Sequence, residues 1–191
     1  MDCEVEEMHQ PVNVPVDQDL YRLVKDYEYI WVRNLSSVDV SDLAEELYMP
    51  DQTIKKKIRS RLDRSGSKGT GIEFAEKSRI CLFNRVLVPA GFTYDGASVP
   101  RLAWTITGIR PDGLLRAAAA VHDWFYRNRG NLPEGCHTFR INEMEWQSVI
   151  GRWNRKDCDR LFGRMMREAG VSPFKRKLAY LAVRALGGWS W

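Results

Sequence analysis

The strongest constraint on the fold is a set of apolar stripes at helical spacing in the second half of the chain. They predict two or three helices, at about Gly113 to Arg127, Arg155 to Ala169 and Phe174 to Leu186. Gly170 is placed to end the second helix, and Pro173 lies near the first turn of the third. An amphipathic helix must cover its stripe, so we expect these helices to pack on each other and on a small sheet.

The third helix has an apolar face followed by a tryptophan-containing tail. Cations lie at the start of this segment, and the face consists of Leu178, Leu181, Ala182, Ala185 and Leu186. We expect this face to pack onto the core, with attachment to a membrane surface as the alternative.

Two segments upstream are rich in β-prone residues. "RICLFNRVLVPAGFTYDGASVP" contains short apolar runs separated by prolines and glycines, which favours a β-hairpin or small sheet. "DLYRLVKDYEYIWVRN" is ambiguous between helix and strand. We expect "DYEYIWV" and "ICLFNRVLVPAGF" to be neighbouring strands, so the predicted class is α+β.

A change of composition in the middle of the chain predicts the domain organisation. Residues 1–16 form an N-terminal arm, and residues 17–33 with 72–191 form the core domain. Residues 34–71 form an inserted helical module that ends in the linker "DRSGSKGTG". The net charge is +4, and the window from Asp51 to Lys68 holds seven basic and two acidic residues. The positive charge therefore belongs to the inserted module.

The inserted module is similar to a helix-turn-helix. Its second helix begins with polar residues, so Gln52, Thr53 and Lys56 are candidates for contact with base edges. Other cations would neutralise phosphates, namely Lys55, Lys57, Arg59 and Arg61, with Arg64 and Lys68 beyond them. The alternative is a solvated basic helix that packs on its own protein.

Candidate catalytic residues lie on the first two C-terminal helices. His122 is followed by Asp123, which lies about 100° further round the helix. On the second helix, Asp159 borders an apolar stripe of Cys158, Leu161, Phe162, Met165 and Ala169. A carboxylate there needs a partner, and His122 is the economical one. That contact would fix the tautomer of the ring and leave its other nitrogen to act as a base.

Other interpretations of the same residues remain open. Arg155, one turn before Asp159, could pair with it, and Asp123 could cap a neighbouring loop. Ser98, His122 and Asp159 could form a hydrolase triad, although "GASVP" does not match a nucleophile elbow.

Four motifs resemble a family of domains of unknown function common in tailed phages and prophages. They are "VLVPAGFTYDGASVPRLAW", "AAAAVHDWFYRN", "DCDRLFGRMMREAGV" and "AYLAVRALGGWSW", in that order from about Arg79 to Trp191. The resemblance implies a phage- or prophage-encoded protein but brings no activity. It leaves open a non-enzymatic role as a virion or assembly component that binds phage structural proteins, or as an inhibitor of a host factor.

"HDWFYRN" is also similar to the dyad helix of calcium-dependent secretory phospholipases. The resemblance implies that His122 is the base, Asp123 binds Ca²⁺, Tyr126 supports the site and Asp159 orients His122. "YDGASVP" would supply the calcium loop, with Asp95 as a further ligand, and the substrate would be a lipid or another ester. The loop has less glycine than is usual in that family, and its disulfides cannot be placed in this chain.

The remaining features concern location. No run is long enough to span a bilayer, and "MDCEVEEMHQPVNVP" lacks the apolar region of a signal peptide. We expect a protein that stays in the cytoplasm of the host cell or is packaged into a virion, and that is not secreted. Its four cysteines, Cys3, Cys81, Cys136 and Cys158, are therefore expected to be free thiols without zinc.

Overall fold

The structure is a computed structural model, and it describes residues 8–17, 20–35, 80–95, 115–149 and 151–191. The strands are β1 (Asn13–Asp17), β2 (Leu20–Leu23), β3 (Tyr27–Leu35), β4 (Ile80–Val88), β5 (Thr93–Tyr94), β6 (His137–Ile141) and β7 (Gln147–Ser148). The helices are α1 (Arg116–Arg127), α2 (Arg155–Glu168) and α3 (Pro173–Leu186), followed by a 3₁₀ turn at Gly187–Trp189. The predicted α+β class and the three C-terminal helices are confirmed.

The strands form two small sheets. One has the order β1-β2-β5 and the other the order β3-β4-β6-β7. The segment that was ambiguous between helix and strand forms β2 and β3, and β3 lies next to β4 as predicted. Of the two alternatives for this segment, the small sheet is confirmed and the hairpin is not, because β4 and β5 belong to different sheets.

The turn between β4 and β5 explains this difference. Gly91 has a φ of +82°, a conformation that glycine adopts without steric cost. Its N–H donates to the carbonyl of Leu23, and the N–H of Ala90 donates to the carboxylate of Asp26. The turn is therefore bonded to the end of β2 and to the segment that follows it, and β5 pairs with β2, with Tyr94 opposite Tyr21.

The chain divides into two compact units. The first comprises Met1–Glu6, Ile30–Arg85 and His137–Gly151, and the second comprises Glu7–Tyr29, Val86–Cys136 and Arg152–Trp191. The proposed boundaries of the arm, core and inserted module stay predictions, because residues 36–79 lie outside the described part of the chain. No helix of the described ranges is long and apolar enough to cross a membrane.

The first unit contains stacked and cation–π contacts. The ring of Trp31 stacks on that of His137, with an interplanar angle of 8°. The guanidinium of Arg85 lies 4.6 Å from the ring centroid of Trp146, and its Nε donates to the hydroxyl of Thr138. Cys81 is disulfide-bonded, so the expectation of a free thiol is wrong at this position.

The second unit holds the three helices and the other cysteines. α2 packs against both α1 and α3. Asn154 caps α2 by accepting from the N–H of Asp157, and Gly170, with a φ of +77°, follows the end of the helix as predicted. The predicted apolar stripe of α2 is buried, and Cys136 and Cys158 are free thiols. Cys3 lies outside the described residues.

The prediction of which side of α3 faces the core is wrong. The structure buries Ala179 and Val183, whereas Leu181 is 52 % exposed and Leu186 is 48 % exposed. Periodicity identifies an apolar stripe but does not say which side of a helix meets its neighbour. Ala179 and Val183 face inward here, whereas Ala185 is exposed.

Gly130 lies where two backbone segments of the second unit approach each other closely. Its φ is +73°, and a Cβ there would lie 2.1 Å from the carbonyl oxygen of Trp153. The N–H of Trp153 donates to the carbonyl of Gly130 at 2.9 Å, so the two segments cannot easily separate. Gly135 has a φ of +80° but open space around the position of a Cβ.

We therefore expect Gly130→Ala to lower the free energy of unfolding by about 2–5 kcal/mol, from backbone strain and overpacking together. Gly135→Ala is the matched control and should cost only the strain, about 1–2 kcal/mol. Urea denaturation of both variants measures the loss in the free energy of unfolding. Equal losses in the two variants would contradict the close approach of Gly130 to Trp153.

The burial of His137 should make the free energy of unfolding depend on pH. Burial lowers the pKa of His137 from 6.5 to about 4. Between pH 4 and pH 6.5, His137 is protonated in the unfolded chain but not in the folded chain. Lowering the pH in this range therefore favours unfolding. The free energy of unfolding should therefore fall by about 1.4 kcal/mol per pH unit as the pH drops from 6.5 towards 4.

Substitution tests this contribution. His137→Gln should flatten the dependence of the free energy of unfolding on pH in that window, measured by denaturation at several pH values. His9→Gln is the matched substitution at an exposed histidine. The explanation fails if His137→Gln keeps the slope of the wild type.

Candidate functional site

The site lies where α1 and α2 pack together in the second unit. The alanine run of α1 has high helix propensity and leaves space for a close neighbour. His122 and Tyr126 are one turn apart on α1, and both are buried. Asp159 on α2 has no exposed surface, so its charge must be satisfied by protein groups.

Three side chains satisfy the carboxylate of Asp159. Its Oδ1 lies 3.0 Å from Nε2 of His122 and accepts a 2.7 Å hydrogen bond from the hydroxyl of Tyr126. Its Oδ2 accepts a 2.8 Å hydrogen bond from the guanidinium of Arg184 on α3. We call these four residues the Asp159 network. The predicted contact between His122 and Asp159 is present.

The network determines which nitrogen of His122 carries the proton. An ionised carboxylate only accepts hydrogen bonds, so Nε2 donates to Asp159, and in the neutral form of the ring Nδ1 carries the lone pair. Nδ1 is buried and has no hydrogen-bond partner among the described residues. The ring therefore directs Nδ1 to the side away from Asp159.

The pKa values of the network follow from these contacts. Burial alone would raise the pKa of Asp159, but hydrogen bonds from His122, Arg184 and Tyr126 outweigh it and hold the pKa below its ordinary value. The hydrogen bond to Asp159 raises the pKa of Arg184. Burial and then the same carboxylate raise the pKa of Tyr126. Asp159 and Arg184 therefore form an ion pair, and Tyr126 stays a donor.

Aromatic rings and the end of α3 enclose the network. The ring of His122 lies 4.7 Å from that of Phe162 and 4.2 Å from that of Tyr126, measured between centroids. The ring of Trp191 meets Tyr126 edge-on at 5.1 Å. A Cβ on Gly187 would lie 2.9 Å from the hydroxyl of Tyr126, so glycine leaves room for the tyrosine.

The two predicted metal ligands lie on neighbouring elements. Oδ1 of Asp123 is 4.0 Å from Nδ1 of His122, too far for a hydrogen bond. Asp95 directly follows β5, which packs against α1. Burial raises the pKa of Tyr94 on β5 to about 12, and the charge of nearby Asp123 adds to the effect. In the described ranges, no group of three or more histidines, cysteines or acidic residues could hold a metal ion.

Other predicted site residues lie outside the described part of the chain. They are Ser98 and the proposed nucleic-acid contacts Gln52, Thr53, Lys55, Lys56, Lys57, Arg59 and Arg61. Of the proposed calcium loop, only Tyr94 and Asp95 are described. The triad with Ser98 and the nucleic-acid interface therefore stay predictions.

Arg184 is a partner of Asp159 that the sequence did not predict. The predicted alternative was Arg155, but a guanidinium nitrogen of Arg155 instead donates to the carbonyl of Arg184 at 3.0 Å. The available signal was a single cation in the otherwise apolar run "LAYLAVRAL". A cation in such a run favours a buried anionic partner.

The fold and site define a small α+β protein with a buried histidine–aspartate pair between two helices. The chain belongs to the family described as "Protein of unknown function (DUF1353)", whose model matches residues 73–183, more than half of the chain. The matched range includes the whole Asp159 network except Arg184, which follows it directly.

One curated relative is an uncharacterized protein, y4jT, of Sinorhizobium fredii (strain NBRC 101917 / NGR234). The two chains are 32 % identical over 69 residues, which is 36 % of this chain and 20 % of the relative. The matched part thus spans only a fifth of the relative's length. No solved structure matches the chain.

The hydroxyl of Tyr126 offers a test of the network. Tyr126→Phe removes one hydrogen bond to a buried charge, so we expect the free energy of unfolding to fall by about 1.5–3 kcal/mol. The control is Tyr180→Phe on α3, whose hydroxyl makes no hydrogen bond to the described residues. The control should change stability by less than about 0.5 kcal/mol in the same denaturation experiment. Equal effects of the two substitutions would contradict the network.

Proposed function

We propose that the protein is an ester hydrolase in which His122 is the general base and Asp159 orients it. The observation that carries the proposal is the orientation of the His122 ring. Asp159 holds Nε2, while Nδ1 has no hydrogen-bond partner among the described residues. A general base needs one ring nitrogen that no protein group already holds, and Nδ1 of His122 meets that condition among the described residues.

The reaction follows from this arrangement. Nδ1 of His122 would take a proton from a water molecule, and the water oxygen would attack the carbonyl carbon of the ester. Collapse of the tetrahedral intermediate breaks the bond to the leaving alcohol, which receives the proton from His122. Asp159 stabilises the imidazolium that forms in between, and Tyr126 and Arg184 keep Asp159 in position.

Calcium is part of the proposal as a candidate cofactor. Asp123 and Asp95 supply oxygen donors, which calcium prefers, and Asp123 lies beside Nδ1 of His122. These two carboxylates are too few for a complete site, so further oxygen ligands would have to come from backbone carbonyls or water. When bound, the ion would polarise the carbonyl of the ester.

Hydrolysis of a panel of carboxylic esters and phospholipids tests the proposal. His122→Gln keeps an amide donor for Asp159 but removes the base, so we expect the rate to fall by about 10²–10⁴-fold. His137→Gln is the matched control, because it replaces a buried histidine that is not in the Asp159 network, and its rate should stay near that of the wild type. Each variant is first shown to be folded by thermal unfolding.

The outcomes separate catalysis from structure. A wild-type rate no higher than the uncatalysed rate across the panel, or a His122→Gln variant that keeps its rate, rejects the proposal. The network is then structural, and His122→Gln should change only the free energy of unfolding.

Calcium binding is tested separately by thermal unfolding. Calcium at a hundred times its dissociation constant should add about 2.7 kcal/mol to the free energy of unfolding of the wild type but not of Asp123→Asn.

The remaining hypotheses concern biological context. A phage or prophage origin, a role in the virion, inhibition of a host factor and location in the host cytoplasm stay predictions from the sequence. Nucleic-acid binding through residues 51–68 likewise stays a prediction and is separate from the Asp159 network.

A further inference from the structure

α3 carries an apolar stripe on the side that faces away from the core. Phe174, Leu178, Leu181 and Ala185 follow one another at intervals of four, three and four residues and therefore share one side of the helix. Phe174 is 76 % exposed and Leu181 is 52 % exposed, whereas Ala179 and Val183 on the opposite side are buried. We call these four residues the α3 stripe.

Two lysines flank the α3 stripe. Lys175 and Lys177 lie on its two sides, at about 100° and 60° from Phe174 in the helical projection. Both are exposed, and neither forms an ion pair with a residue of the described ranges. From Pro173 to Leu186 the helix has four cations, Lys175, Arg176, Lys177 and Arg184, and no acidic residue.

We propose that the α3 stripe and its flanking lysines bind the surface of an anionic lipid bilayer. The apolar side chains would enter the boundary between headgroups and acyl chains, and the lysines would extend to the anionic headgroups on either side. The same helix keeps its inner side on the core, so binding requires no unfolding of α3. The inference does not depend on the proposed hydrolase activity.

Charge favours a bilayer over another copy of this chain. A two-fold contact through the α3 stripe would place lysines of one copy near lysines of the other, with no acidic residue on the helix to pair with them. An anionic bilayer supplies the complementary charge on both sides of the stripe. It also accepts an exposed aromatic side chain such as Phe174 without a shaped pocket.

The expected changes in affinity for vesicles are large enough to measure. Each lysine close to an anionic surface should tighten binding about fivefold. Burial of Phe174 and Leu181 in the interface should contribute about tenfold or more together. Binding to anionic vesicles should therefore exceed binding to neutral vesicles, and the difference should shrink as salt is added.

Co-sedimentation of the full chain with vesicles tests the proposal. One set of vesicles contains phosphatidylglycerol and phosphatidylcholine, and the other contains phosphatidylcholine alone. The double variant Phe174→Ser/Leu181→Ser should bind the anionic vesicles about tenfold or more weakly. Lys175→Gln/Lys177→Gln should lose about 25-fold at low salt, since two fivefold contributions multiply.

The controls use exposed apolar residues and the Asp159 network. Val14→Ser/Val24→Ser removes two valines that are 39 % and 48 % exposed outside α3, and it should bind like the wild type. His122→Gln should also bind like the wild type, whether or not it abolishes hydrolysis. Thermal unfolding confirms that each variant is folded.

Three results would overturn the proposal. The first is no preference for anionic over neutral vesicles, and the second is equal loss of binding in the α3 and valine variants. The third is a dimer of the wild type in sedimentation equilibrium that Phe174→Ser/Leu181→Ser dissociates. That last result would assign the α3 stripe to self-association.

Discussion

The second unit depends on the burial of one carboxylate. An ionised Asp159 without partners would cost several kcal/mol, so α2 can occupy its place only if its neighbours supply donors. α1 supplies His122 and Tyr126, and α3 supplies Arg184. One side chain thereby connects all three helices. Removing a donor leaves a buried charge less satisfied, so the contacts are mutually dependent.

The same carboxylate relates the two surfaces for which we propose functions. On α1 it orients the ring of His122, so that the lone pair of Nδ1 points away from the ion pair and towards the side of Asp123. On α3 it holds Arg184, and the rotation that brings Arg184 to Asp159 also buries Val183 and Ala179. Phe174 and Leu181 are then on the outer side of the helix. The exposed stripe and the contact of Arg184 with Asp159 thus belong to one orientation of α3.

Several features could be predicted from the sequence, some because their causes are local and one because a buried carboxylate needs a partner. The helix bounds follow from apolar spacing, from Gly170 after α2 and from Pro173 at the start of α3. The contact of His122 with Asp159 follows from a carboxylate beside an apolar stripe and a histidine on the neighbouring helix. The pairing partner of β5 could not be predicted, because β2 is distant from β5 in the chain.

The sequence by itself determined that α1, α2 and α3 form, since propensity, caps and periodicity act over one or two turns. It also determined that Asp159 must find a donor, since burial of a charge is costly wherever the helix packs. Only the tertiary structure decided that Arg184 joins His122 and Tyr126 at that carboxylate. It also decided that α3 turns Ala179 and Val183 inward and Phe174 outward. Both outcomes depend on how closely and at what rotation the helices pack, and the spacing of residues within one helix does not set that geometry.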